Sequence, residues 1–356
     1  MTRVLIIDDS AFMRSLLKKV IESAPDIQVV GEAPDPIAAR ELIKALNPDV
    51  LTLDVEMPRM DGLEFLRRLM SLRPMPVVMI SSLTEQGSET TLQALELGAV
   101  DFLPKPKMDS PALIAEYTET ICEKLRAAAS ARFRRPAAAP SSAATPARAA
   151  ARPGPVFSDR LLHENIIAIG ASTGGTEAIK DVLLDLPEQI PGIVLTQHMP
   201  EMFTTSFARR LDRLSKITVV EARGGERILP GHAYLAPGHS HLRIRKSGGQ
   251  YFTELSQDAP VNRHRPAVDV MFRSVVDVCG KKAIGVLLTG MGRDGAQGLL
   301  EMRQAGAWTI GQDQASCVVY GMPREAALLD AIDETVSLSD VAGHILARLQ
   351  LLNKQG

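Results

Sequence analysis

The sequence predicts an α/β protein built as two doubly wound parallel-sheet domains. Three observations carry this. Short β-branched apolar runs alternate with amphipathic stretches through both halves of the chain. Almost every apolar run ends in a polar residue able to do chemistry: Asp8, Asp54, Ser81, Ser172, His198. Between the halves, from Ala127 to Pro155, the composition shifts to Ala, Pro, Ser and Arg, and no acidic residue occurs between Glu123 and Asp159. A length of 356 residues suits two ordinary domains, and a net charge of -2 points to neither nucleic acid nor a membrane surface. The three cysteines, Cys122, Cys279 and Cys317, form no C-x-x-C pair and read as small buried apolar residues. The N-terminus has no signal-peptide pattern and no run is long enough to span a bilayer, so a cytoplasmic protein without membrane insertion is expected.

In the first half, Val4–Ile7 is a buried strand closed by Asp8 and Asp9. A helix follows with Phe12, Leu16, Leu17, Val20 and Ile21 on one face, and Ser10 is its expected N-cap. Val29–Val30 is a second strand, Pro36–Leu46 a second helix, Val50–Leu53 a third strand ending at Asp54, Pro76–Ile80 a fourth ending at Ser81, and Asp101–Leu103 a fifth ahead of Lys105. In a parallel sheet the strands' carboxyl ends share one rim, which is where ligands bind. Asp8, Asp9 and Asp54 converge there; a hard divalent cation such as Mg²⁺ relieves their repulsion and neutralises a phosphoryl group on one of them. Ser81 and Lys105 are placed to bind phosphoryl oxygens. The residues after Ala127 read as a flexible tether.

In the second half, Ile166–Ile169 is a strand that runs into Gly170-Ala171-Ser172-Thr173-Gly174-Gly175. The G-x-S-x-G spacing lifts Ser172 off the sheet at a helix N-terminus, either as a nucleophile or within a plain turn or phosphate cradle. Gly192–Gln197 is the next strand, with His198 at its end, a general base or a packing histidine. Phe203–Leu214 is a helix and Ile217–Val220 a strand. Residues 224 to 255, with Ala233–Leu235, Leu242–Ile244 and Tyr251–Phe252 between glycine-rich turns, read as an antiparallel hairpin region. Asn262-Arg263-His264-Arg265-Pro266 is a polar loop, a solvated turn or a substrate contact, before the helix Val268–Val278. Ile284–Thr289 is a strand leading into Gly290-Met291-Gly292-Arg293-Asp294-Gly295. That run fits G-x-G-x-x-G, so a dinucleotide site is one reading; it comes late in its domain, and no acid closes the following strand Trp308–Ile310. The other reading sets Asp294 to orient His198, making Ser172, His198 and Asp294 nucleophile, base and orienter. The order Ser-His-Asp departs from that of α/β-hydrolases. Met322–Leu329 and Val341–Leu351 are closing helices, and a metal site at His239-x-His241 is a weaker alternative.

Residues 1 to about 125 resemble a response-regulator receiver domain, a flavodoxin-like fold, on Asp8-Asp9, Asp54 with Met57-Pro58-x-Met60-Asp61-Gly62, Ser81-Ser82 and Lys105-Pro106. The resemblance implies that Asp54 accepts a phosphoryl group from a histidine kinase, that Asp8, Asp9, Asp54 and the Glu56 carbonyl hold Mg²⁺, and that Ser81 and Phe102 are the switch pair. Residues 126–158 are then a linker and 159–356 a catalytic domain. That domain resembles the chemotaxis protein-glutamate methylesterases, also protein-glutamine deamidases, on Gly170 to Gly175, Gln197-His198-Met199, Asn262 to Asp269, and Leu288 to Gly295. The family implies Ser172, His198 and Asp294 as the catalytic triad, the Met291 N–H as an oxyanion donor, no cofactor for hydrolysis, and methylated chemoreceptors as substrates. An unphosphorylated receiver covering Ser172, uncovered on phosphorylation of Asp54, is the expected control. The competing class is a non-enzymatic response regulator whose second domain binds a partner; no recognition helix for nucleic acid follows the linker.

Overall fold

The computed structural model describes residues 1–57, 62–82, 84–106, 110–131 and 156–355. The chain divides into two compact units between residues 133 and 134.

The first unit has five strands, β1 (Thr2–Ile7), β2 (Ile27–Ala33), β3 (Val50–Asp54), β4 (Val77–Ser81) and β5 (Asp101–Pro104), and five helices, α1 (Ala11–Ile21), α2 (Pro36–Leu46), α3 (Gly62–Leu72), α4 (Glu85–Glu96) and α5 (Pro111–Ser130). The sheet is parallel in the order β2-β1-β3-β4-β5, the doubly wound arrangement with its switch point between β1 and β3. Every residue of β3 and of β4 is buried, as strands covered on both faces require. Ser10 caps α1 by accepting from the Met13 N–H, and Asp35 caps α2 from both Ile37 and Ala38.

Two expectations change here. Phe12 is 64% exposed: it lies in the first turn of α1, and burial in that helix is confined to Leu17, Val20 and Ile21 further along. The last helix of the unit runs to Ser130 rather than ending near 125, because Ile121, Cys122, Leu125, Ala127 and Ala128 stay buried along it. The rest of the expected linker up to residue 155, and positions 58–61 of the Met57–Gly62 motif, lie outside the described residues.

The second unit contains β6 (Ile166–Ala171), β7 (Gly192–Gln197), β8 (Thr218–Glu221), β9 (His232–Leu235), β10 (His241–Ser247), β11 (Gln250–Ser256), β12 (Ala283–Leu287), β13 (Trp308–Gln312) and β14 (Glu334–Val336). Its helices are α6 (Asp159–Glu164), α7 (Gly175–Asp185), α8 (Glu201–Leu214), α9 (Val268–Cys279), α10 (Ala296–Gln304), α11 (Met322–Leu328) and α12 (Val341–Gln355). Seven strands form a parallel sheet ordered β14-β13-β12-β6-β7-β9-β8. The chain enters at the centre with β6, builds outward through β7, then returns to the other flank of β6 with β12. The crevice this reversal creates lies at the carboxyl ends of β6 and β12.

The hairpin region is smaller than its glycine-rich turns predict. Only β10 and β11 are antiparallel; Ala233, Tyr234 and Leu235 belong to β9, inserted in parallel between β7 and β8. All three are buried, which fits a strand inside a wound sheet and not a half-exposed hairpin arm. Leu242, Ile244 and Tyr251 bring the hairpin into the same core as Met271, Phe272 and Val275 of α9. The short α6 and β14 carry too few periodic residues to be read from sequence.

Candidate functional sites

In the first unit the acids do converge. Asp8, Asp9 and Asp54 each offer an oxygen within 4.8 Å of the others. Lys105 Nζ bonds Asp54 Oδ2 at 2.7 Å and stands 3.9 Å from Asp8 Oδ2. Burial, with the Asp54 charge adding to it, lifts the Asp8 carboxyl to about 6. Burial also raises Asp54, against the opposing hydrogen bond from Lys105. For Lys105 burial alone would lower the pKa, but its bond to Asp54 and the charges of both acids raise it. Asp8 Oδ2 is buried without a hydrogen-bond partner. An orphaned carboxylate oxygen within a cluster of three acids is what a hard divalent cation satisfies, so these residues fit Mg²⁺. The Glu56 N–H donates to Asp54 Oδ1, which sets that residue's backbone against the phosphoacceptor, while its side chain accepts from Ser82 Oγ. Ser81 is buried and its hydroxyl donates to the Ser82 and Gly87 carbonyls; Phe102 is buried at the next strand's edge.

In the second unit Ser172 follows β6 directly. Gly174 takes a left-handed φ of 77° to turn the chain into α7. The Ser172 N–H donates to Thr289 O at 3.0 Å, and its carbonyl accepts from Gly175 N and from Gln197 Nε2. The serine is thereby pinned between β6, β7 and the loop after β12. A Cβ on Gly290 would fall 2.8 Å from Ser172 Cβ, so that loop reaches the serine only because residue 290 is glycine. Among the described residues the half-buried Met291 N–H donates to no protein acceptor.

His198 leaves the end of β7, its N–H donating to Ala171 O, and its ring stacks on His264 with centroids 3.6 Å apart. Nε2 meets Asp294 Oδ2 at 2.8 Å. Nδ1 is buried with no hydrogen-bond partner, so Ser172 is not bonded to the imidazole as the chain stands. Catalytic hydrogen bonds often close only around substrate. With Nε2–H committed to the carboxylate, Nδ1 carries the lone pair.

Asp294 is 1% exposed and accepts from four groups: His198, the Val268 N–H at 2.6 Å, Asn262 Nδ2 at 2.9 Å and the Asp269 N–H at 3.2 Å. Val268 and Asp269 open α9, so the carboxylate also sits at that helix's positive end. Burial alone would raise its pKa, but the His198 bond and charge and the other donors outweigh burial and hold it well below the usual carboxylate range.

Asn262, Asp269 and Gln197 were not singled out for roles in sequence, where Asn262 was half of a choice between turn and substrate contact. Their partners lie 25 to 32 residues away, beyond any local pattern. The alternative sites fall away. His241 uses both ring nitrogens, toward Ala259 O and the Ala267 N–H, leaving none for a metal. In the G-x-G-x-x-G run the Gly290 carbonyl accepts from Gly321 and Met322, and Asp294 is turned inward, so the loop is occupied by its own protein.

Residues 167–345 match the family described as CheB methylesterase, and residues 4–117 match the response regulator receiver domain. A protein-glutamate methylesterase/protein-glutamine glutaminase of Nitrosomonas europaea is 61% identical over 99% of this chain and 98% of its own. One of the same name from Paraburkholderia xenovorans is 58% identical over 98% of this chain and 96% of its own. The crystal structure of the Thermotoga maritima CheB methylesterase catalytic domain is 36% identical with a TM-score of 0.51, covering 52% of this chain and 98% of that one.

Proposed function

This chain belongs to the protein-glutamate methylesterase/protein-glutamine glutaminase family, receiver domain included, and from that premise we propose how its own residues perform and control the hydrolysis. It is a hydrolase of the response-regulator class. The substrates are γ-methyl glutamyl esters, and certain glutamines, on chemoreceptors, met from the cytoplasm without membrane insertion; no helix among the described residues is long and apolar enough to cross a membrane.

Ser172 Oγ attacks the ester carbonyl and gives its proton to His198 Nδ1, the nitrogen that Asp294 leaves basic. The carbonyl oxygen, now an oxyanion, accepts from the Met291 N–H; one such donor is worth about 2.7–4 kcal/mol of barrier. The C–O bond to the methoxy group breaks and Nδ1 returns the proton, releasing methanol. Water then attacks the acyl-serine, its proton passing through Nδ1 to Ser172 Oγ, and a free glutamate side chain leaves. With glutamine the departing group is ammonia. No cofactor enters the hydrolysis. The observation that carries this reading is the His198–Asp294 bond at 2.8 Å beside a buried, unpartnered Nδ1.

In the receiver, Asp54 accepts the phosphoryl group from a chemotaxis histidine kinase. Asp8, Asp9, Asp54 and the Glu56 carbonyl would hold Mg²⁺, which supplies neutralising charge for the incoming group. Lys105 exchanges its bond to Asp54 for one to a phosphoryl oxygen, and Ser81 and Phe102 reorient in turn. The resulting shift in population raises the esterase rate. Methanol release from methylated receptor, with and without a small-molecule phosphodonor, tests both halves: Ser172→Ala abolishes release, and Asp54→Ala abolishes only the response to phosphodonor.

A further inference from the structure

Asp294 does not stand alone. A second buried carboxylate, Asp269, lies one residue into α9, and Asn262 spans the two: its Nδ2 donates at 2.9 Å to Asp294 Oδ1 and at 2.8 Å to Asp269 Oδ2. An amide nitrogen has two hydrogens, and each carboxylate takes one. The Asp269 N–H reaches back to Asp294 Oδ1, and the other Asp269 oxygen accepts from the Gly298 N–H at 2.7 Å. Asn262 holds this pose from a left-handed backbone, φ 51°, which asparagine tolerates better than most residues.

We propose that Asn262 is a positioning residue for the hydrolysis, and that Asp269 anchors it: the amide bridge keeps two buried carboxylates side by side and holds Asp294 with Oδ2 presented to His198. The physical problem it solves is repulsion. Two ionised carboxyls out of water repel unless donors lie between them, and the cheapest escape is for one to take a proton. If Asp294 took it, the imidazole would lose its anionic partner. The bridge, with the α9 N–H groups, weights the balance toward an ionised Asp294. The other groups that face the cluster are His198, with His264 stacked on it, and Arg273, 3.9 Å from Asp269 Oδ2 and paired in turn with Glu301. This inference rests on the triad reading above.

The test uses the full chain, activated by phosphodonor, releasing methanol from methylated receptor across pH. Asn262→Gly removes the amide and suits the left-handed backbone, so loss of folding is not the expected outcome. It should lower kcat by about 10- to 100-fold, the rate equivalent of one charge-assisted hydrogen bond, with little change in KM. Asn262→Asp keeps shape and backbone preference but puts a third carboxyl in the cluster. Its kcat should be lower still and should fall as pH rises over a range where the parent is flat, since the cluster then needs an extra proton. A raised KM with parental kcat and pH profile in both variants would overturn the proposal and make Asn262 a substrate contact; parental kinetics throughout would overturn it too. Ser172→Ala, run alongside, separates the two levels: if it still releases methanol the triad itself is wrong, whereas a dead Ser172→Ala beside a fully active Asn262→Gly refutes only the bridge.

Discussion

Replacing Asp294 by Asn probes the site at the point where geometry is most explicit. The parent carboxylate accepts from four donors, His198 Nε2, Val268 N, Asn262 Nδ2 and Asp269 N, at 2.6 to 3.2 Å. An amide offers one oxygen and one NH₂ in the same place, so at least one donor faces another donor. Leaving a buried donor unpaired costs about 1–3 kcal/mol, and the loss of charge weakens the bonds that remain. The catalytic effect is larger than the structural one. If the amide NH₂ donates to Nε2, the imidazole proton moves to Nδ1 and the basic nitrogen faces the wrong way. The same exchange in a Ser-His-Asp protease costs about 10⁴ in kcat, or about 5.5 kcal/mol. Methanol release by the phosphodonor-activated enzyme should therefore fall by about three to four decades, while the catalytic unit stays folded with a lowered Tm. The pH dependence of that Tm has a definite sign. Asp294 keeps its charge below the usual carboxylate range, so its stabilisation is present above the unfolded-state pKa near 4 and is lost as pH falls below it. The Tm gap between parent and variant should thus narrow on acidification below about pH 4. A variant that keeps its fold and releases methanol within about tenfold of the parent rate would refute the assignment of Nδ1 as base and Asp294 as its orienter.

Further expectations test other links. Gly290→Ala sets a methyl 2.2 Å from Met322 Sδ and 2.8 Å from Ser172 Cβ, so kcat should drop sharply with about 1–3 kcal/mol of overpacking cost, read by methanol release and thermal melts; a neutral result would mean that the loop after β12 does not press on the serine. Asp54→Ala should keep the basal esterase rate and lose the rise with phosphodonor; an undiminished rise would disprove control through this acid. Asp8 titrates near 6, so between about pH 4 and 6 the parent receiver loses stability as its buried carboxyl ionises. Asp8→Asn removes that loss, and in chelator above pH 6 the receiver should melt later, by the equivalent of about 1–2 kcal/mol, while no longer taking up phosphoryl groups; an earlier melt would contradict the charge accounting at that rim.

Much of this protein is local and therefore legible in the chain. Ile166–Ala171 and Gly192–Gln197 are runs that can only be strands covered on both faces, and a parallel sheet sends the residue after each strand to one rim. That alone brings Ser172, His198 and the loop holding Asp294 into one neighbourhood, and Asp8 and Asp54 into another. What local pattern cannot carry is pairing between distant segments. Whether Ala233–Leu235 was a hairpin arm or a strand wedged between β7 and β8 depended on which neighbours buried both its faces. Which imidazole nitrogen meets Asp294 depended on a ring orientation set by backbone contacts at β6 and stacking on His264. The second carboxylate and the asparagine joining it to the first became visible only when α9 docked its N-terminus against the loop after β12. Hydrogen bonds made across that docking have no signature in spacing, because the distance they close is one of space and not of sequence.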